Sequence, residues 1–146
     1  LAWMKKRGFD VLGYDINPKV KKRIAETIGE TCVAYDFKDL IFCDSIHICV
    51  PTEPVADGSA DMSIYDDVIE RLVSVLDNHR PISVIQRSTC PPGSADRYAK
   101  CFGNNISYGV NPSFLRGKYC SRYGTSRTSS YWWKRIINCT YDRDLS

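Results

Sequence analysis

The chain has 146 residues, 43% of them apolar, and a formal charge of +3. That is enough apolar material for one domain core, and the charge is too mild and too scattered along the chain for a nucleic-acid partner. No apolar run approaches the ~18 residues of a membrane span and no leader is visible, so no membrane partner is expected.

The seven cysteines, at positions 32, 43, 49, 90, 101, 120 and 139, are odd in number and include no Cys-x-x-Cys pair. This argues against a disulfide framework and against a zinc site, and it points to a reducing, cytoplasmic setting with no bound metal.

Residues 1–8 place apolar side chains, then Lys5, Lys6 and Arg7, then Gly8, which reads as the final turns of a helix. The chain therefore opens partway through an element, and a preceding segment is expected. Val11-Leu12-Gly13-Tyr14-Asp15 is a short apolar run closed by an acid, after which Asn17-Pro18 opens a helix over 19–28. In a dinucleotide-binding βαβ unit, the acid behind the second strand accepts hydrogen bonds from the adenosine ribose. Asp15 holds that place. Its charge opposes the additional phosphate of NADP, so NAD is the expected cofactor. The competing reading makes Asp15 a cap for the helix behind it.

Residues 36–42 read as a helical turn leading into a strand over 45–50, dense enough in apolar residues to need cover on both faces. His47 lies inside that strand and reads as an interior histidine, because no acid stands near it in sequence. Ile64, Val68, Ile69, Leu72, Val73 and Leu76 recur at helical spacing over 64–76. Asp61 or Ser63 can cap that helix, and Asp66, Asp67 and Glu70 form its wet face. A strand over 82–86 delivers Ser88-Thr89, and Pro91-Pro92-Gly93 then forces a turn into a helix over 94–102. The last strand, 106–110, runs into Asn111-Pro112-Ser113-Phe114-Leu115-Arg116. Ligands of open α/β sheets gather outside the carboxyl ends of the strands, so the turns at 88–93 and 111–116 mark the expected site.

Val50-Pro51-Thr52, Ser88-Thr89 with Pro92-Gly93, and Asn111-Pro112 followed by Phe114-Leu115-Arg116 resemble the NAD-binding domain of the UDP-glucose/GDP-mannose dehydrogenase family. The resemblance runs over residues 1–116. It implies an α/β fold with a Rossmann-like doubly wound parallel sheet, NAD as cofactor, and a nucleotide sugar as the substrate whose C6 alcohol is oxidised to a uronate. A homodimer of the full-length protein is implied as well. By the same resemblance, Thr52 lies near the cofactor phosphates. Thr89 lies beside the nicotinamide as a cofactor contact and as the catalytic residue that positions a water or the substrate oxygen. Asn111, Phe114, Leu115 and Arg116 form a substrate-side loop. For Thr52 and Thr89 the alternative is a hydroxyl that shapes a turn. Cys90 does not match the family's thiol nucleophile, which belongs to a later domain.

Several positions depart from the family pattern. Val20, between Lys19 and Lys21, stands where a Lys or Arg is usual; Glu53 interrupts a Val-Pro-Thr-Pro run; and Ser113 and Gly117 stand where glutamates are common. A serine hydroxyl without a base beside it does not take up a proton near neutral pH as a carboxylate does. The glycine-rich turn that would bind the pyrophosphate, and the first strand before it, are absent from the sequence. The sheet is therefore expected to be incomplete, with unpaired groups on the strands flanking the vacant place costing roughly 1 to 3 kcal/mol each where buried, and NAD binding is expected to be poor. Residues 117–146 read as a divergent C-terminal segment behind a partial NAD-binding domain, residues 1–116. Tyr131-Trp132-Trp133 in it either pack on the sheet or mark a docking surface, and Arg127 lies one position from where the family has a substrate-side arginine. A second reading of the whole is a degenerate, non-catalytic Rossmann module kept for binding or interaction. A third, a hydroxy-acid dehydrogenase, is opposed by the Asn111 to Arg116 run.

Overall fold

The structure, a computed structural model, describes residues 1–76 and 80–112 and the backbone of 135–140. Helix α1 (Ala2–Lys6) leads through Gly8 into strand β1 (Asp10–Tyr14), and helix α2 (Pro18–Ile28) follows. Two short 3-10 turns, Glu30–Cys32 and Phe37–Phe42, bring the chain to strand β2 (Ser45–Cys49). Helix α3 (Ser63–Leu76), strand β3 (Ile82–Gln86), helix α4 (Ser94–Ala99) and strand β4 (Ile106–Val110) continue the alternation. Strand β5 (Arg135–Thr140) completes the described part.

Local sequence chemistry sets most of these boundaries. Asn17 caps α2 by accepting the Lys19 N–H at 2.9 Å, with Pro18 in the first turn, where a missing N–H costs nothing. Asp36 and Asp39 form a reciprocal capping box around the turn Phe37–Phe42. Asp61 accepts the Ser63 N–H at 2.9 Å at the start of α3. Gly93, with φ of 84°, supplies the left-handed residue that turns the chain into α4. That helix stops at Ala99, shorter than the expected 94–102, because Cys101 N–H turns back to the Tyr98 carbonyl.

The five strands lie in the order β1-β5-β2-β3-β4, and every pairing is parallel. A single parallel bridge between Gly13 and Val33, with Ala34 N–H donating to the Gly13 carbonyl at 2.8 Å, adds a vestigial outer strand beside β1. The Rossmann-like doubly wound parallel sheet is therefore present. The expectation that β1 and β2 would carry unpaired edges is not met, because β5 runs between them and pairs with both.

One face of the sheet packs against α3, and at β1 the other face packs against α1 and α2. Side chains alternate along a strand, so Leu12 and Tyr14 of β1, Ile46 and Ile48 of β2, and Ile82 and Val84 of β3 meet Tyr65, Ile69, Leu72 and Leu76 of α3 in one large cluster. Phe37, Leu40 and Tyr98 close it. The opposite face of β1 meets α1 and α2 at Gly13, where a Cβ would come within 2.7 Å of Leu1 Cδ1 and 2.9 Å of Ile24 Cδ1. A larger residue there would make the ends of the Leu1 and Ile24 side chains shift. A second, smaller cluster of Val20, Ile24 and Val33 sits there, with Leu1 and Ile28 against it. Among the described residues no helix is long and apolar enough to cross a membrane.

Candidate functional site

Parallel strands share one carboxyl edge, and the register aligns their ends: Tyr14 with Cys139, Cys49 with Thr140, and Gln86 with Val110. The residues that follow are Asp15 behind β1, Val50 to Thr52 behind β2, Arg87 to Thr89 behind β3 and Asn111 behind β4. The fold thus brings Asp15, Thr52, Thr89 and Asn111 to the same edge of the sheet. One intervening strand separates Asp15 from the Thr52 side, a spacing of roughly 10 Å. Phe114, Leu115 and Arg116, with Ser113 and Gly117, lie outside the described residues, as do Arg127 and the Tyr131-Trp132-Trp133 run.

The turns behind β2, β3 and β4 are tied to one another. Ser88 is buried, and its hydroxyl donates to the Val50 carbonyl at 2.6 Å while accepting the Val50 N–H at 2.9 Å. Arg87 N–H donates to the Ile48 carbonyl and Asn111 N–H to the Gln86 carbonyl, each at 2.9 Å. Of the Ser88-Thr89 pair, then, the first member is the clasp, which leaves Thr89 exposed at the edge. Thr52 is half-buried and Asn111 exposed.

Asp15 is in a different situation. It is fully buried, and its Oδ1 accepts the Asn17 N–H at 2.8 Å. Asn17, not Asp15, is the cap of α2, while Asp15 fixes the turn that places that cap. A ribose hydroxyl reaches this carboxylate only if the surrounding chain yields. Lys21 sits nearby: its ammonium donates to the Tyr35 carbonyl at 3.1 Å and lies 4.8 Å from the centre of the Tyr14 ring. Val20 is buried in the small cluster, and it is its neighbour Lys21 that reaches Tyr14 and Tyr35.

Two titratable groups on β2 lie just below the edge. Burial, with a further contribution from the Arg87 guanidinium, lowers His47 to about 4, so it is neutral at pH 7. Burial raises the Cys49 thiol to about 11, against the opposing pull of Arg87, which makes it inert as a nucleophile. Neither behaves as a catalytic group. This agrees with the interior reading of His47.

Sequence reasoning missed a polar network beneath the Thr89 turn. Tyr108 donates to Gln86 Oε1 at 2.6 Å, and its oxygen lies 2.9 Å from the Tyr65 hydroxyl. Tyr98 donates to Asp66 at 2.7 Å and packs on Tyr65 with ring centres 4.9 Å apart. Gln86 is fully buried, and its Nε2 has no hydrogen-bond partner among the described residues. The one available signal was a polar Gln closing an otherwise apolar strand. Cavities among the described residues lie away from this edge: one of about 440 Å³, lined by Asp10, Val11, Thr31, Cys32, Asp39 and Cys43 among others, opens at the amino ends of β1 and β2, and one of about 410 Å³ is lined by Val73, Leu76, Phe102 and Ile106 among others.

Comparison with known proteins bears on the family and the fold. Residues 1–119 match the family described as UDP-glucose/GDP-mannose dehydrogenase family, NAD binding domain. A UDP-N-acetyl-D-mannosamine dehydrogenase of Pyrococcus horikoshii is 30% identical over 115 residues, covering 66% of this chain and 27% of that protein. A putative UDP-glucose 6-dehydrogenase of Bacillus subtilis is 35% identical over 80 residues, covering 51% of this chain and 18% of its own length. The chain thus spans about a quarter or less of these relatives. Among solved structures, a ternary complex of GDP-mannose dehydrogenase from Pseudomonas aeruginosa superposes with a TM-score of 0.74 at 18% identity, over 96% of this chain and 43% of that one. A UDP-glucose dehydrogenase from Pyrobaculum islandicum gives 0.65 at 24% identity, over 79% and 33%. At these identities the likeness is one of fold.

Proposed function

The chain belongs to the UDP-glucose/GDP-mannose dehydrogenase family, matching its NAD-binding domain over residues 1–119, and on that premise we propose that it is the NAD-binding portion of an oxidoreductase that oxidises the C6 alcohol of a nucleotide sugar to a uronate. One observation carries the reading: a carboxylate, two threonine hydroxyls and an asparagine amide all follow parallel strands at one carboxyl edge. The chemistry of that donor set fits a dinucleotide. Asp15 accepts from the adenosine ribose, and the Thr52 hydroxyl donates to the phosphates. Bound there, a nicotinamide supplies the hydride acceptor for the sugar alcohol. Thr89, exposed above the Ser88 clasp, orients the substrate oxygen or a water beside it. Asn111 opens the loop that lines the sugar side, continuing in sequence through Phe114, Leu115 and Arg116. Cytoplasmic location and dimerisation of the longer protein belong to the same proposal.

A second reading, a Rossmann module without catalysis, draws support from Asp15, which is already buried and committed to the Asn17 N–H. Calorimetric titration of the chain separates the two. The first reading expects NAD to bind with a dissociation constant on the order of 1 mM, about −4 kcal/mol, with NADP weaker because its additional phosphate meets the Asp15 charge. Absence of NAD heat well above that concentration, or a preference for NADP, favours the second.

A further inference from the structure

The hydrogen bonds beneath the Thr89 turn have a direction. Tyr108 of β4 donates its proton to Gln86 Oε1 at 2.6 Å, because a carboxamide oxygen can only accept. The Tyr108 oxygen, 2.9 Å from the Tyr65 hydroxyl, therefore takes the Tyr65 proton. The bonds run from Tyr65 to Tyr108 to Gln86. Two ends stay open: Gln86 Nε2, a donor without a partner, and the Tyr65 oxygen, to which no described residue donates. Both residues are fully buried. We propose that one water molecule binds between these ends, accepting from Gln86 Nε2 and donating to the Tyr65 oxygen, so that the bonds close into a ring.

Three features support this. A buried donor left unmet is costly, and protein interiors satisfy such groups with protein or with water. The side chains beside Gln86 on its face of the sheet, Ile48 and Val84, are buried and apolar and offer it nothing. A buried water needs at least two converging polar partners, and here one donor and one acceptor belong to residues that already meet through Tyr108. With the Gln86 amide turned over, every bond in the chain reverses and the same two residues still need joining. A ring whose bonds all run one way is also strengthened by mutual polarisation. The consequence is mechanical. Tyr65 stands in the first turn of α3, Tyr108 in β4, and Gln86 closes β3 immediately before Arg87, Ser88 and Thr89. The ring therefore ties three elements together under the turn, whatever ligand the edge takes.

A high-resolution crystal structure of the unmodified chain tests the site directly. It should show one ordered water about 3 Å from both the Gln86 amide and the Tyr65 oxygen. No water in reach of both, or a protein group bonded to Nε2 in its place, overturns the proposal. Urea unfolding tests the same link in solution, with Gln86→Met and Tyr65→Phe made singly and together in a Tyr108→Phe background. That background cuts the path through Tyr108, so only the water still connects the two residues. Their effects on the unfolding equilibrium constant should then depart from the product of the single effects by about tenfold. Independent effects overturn the proposal as well. Where these variants fail to fold, the crystallographic result on the unmodified chain decides alone.

Discussion

The two sides of the sheet across β5 are built differently. On the β2-β3-β4 side, Ile46, Ile48, Val84 and Leu72 are fully buried in one extended cluster, and side-chain and backbone hydrogen bonds tie the turns at the carboxyl ends together. On the β1 side the cover from α2 is a cluster of three buried residues, Val20, Ile24 and Val33. The contrast shows where the site gets its rigidity. Thr52, Thr89 and Asn111 are presented by a braced scaffold, while Asp15 depends on a thinner packing layer and on a strand from a distant part of the sequence.

Core truncation should expose this difference most strongly. Leu72→Ala in the large cluster is expected to cost about 2 to 5 kcal/mol, and Ile24→Ala in the small one less, at the low end of that range, because its surroundings can collapse onto the gap. Urea unfolding of both variants measures the gap between them. Equal losses would mean that the two sides are equally well packed.

Acid sharpens the comparison from the β2 side. The folded-state pKa of His47 lies at about 4, below its ordinary value of 6.5. Protonation therefore favours the unfolded chain: the stability that neutral His47 preserves is complete above pH 6.5 and is lost as the pH falls toward 4. The full effect is on the order of 3 kcal/mol. Thermal unfolding followed from pH 7.5 to 4 should show the decline, and His47→Gln, which cannot titrate, should flatten that part of it. A profile unchanged by the substitution would remove His47 from the account.

Ser88→Ala is the smallest of these effects and the most local. It strips the Val50 N–H and carbonyl of their buried partner at the carboxyl ends of β2 and β3, at an expected cost of about 1 to 3 kcal/mol. Exchange at the Val50 amide should quicken while Val20 and Ile24 stay unchanged. Quickening on both sides would show that the clasp braces the whole edge.

Much of the architecture could be read from residues near one another in sequence. Strands 82–86 and 106–110 fall where alternation and turn residues placed them, and α2 starts at Pro18 because Asn17 and the proline make a helix start by themselves. The ends of β1, β2, β3 and β4 followed from the same patterns, and with them the edge that gathers Asp15, Thr52, Thr89 and Asn111. The residues around Asn111-Pro112 and Ser88-Thr89 carried the family kinship. Other features depend on contacts between distant residues. Ser88 became a clasp only because Val50, far from it in sequence, lies alongside. Asp15 is buried, and Tyr108 reaches Gln86 and Tyr65, for the same kind of reason. Above all, Arg135–Thr140 has the composition of many strands. Its place at the centre of the sheet is defined by its parallel pairing with β1 and β2, strands far from it in sequence, and long-range pairing of that kind is written in no single stretch of the chain.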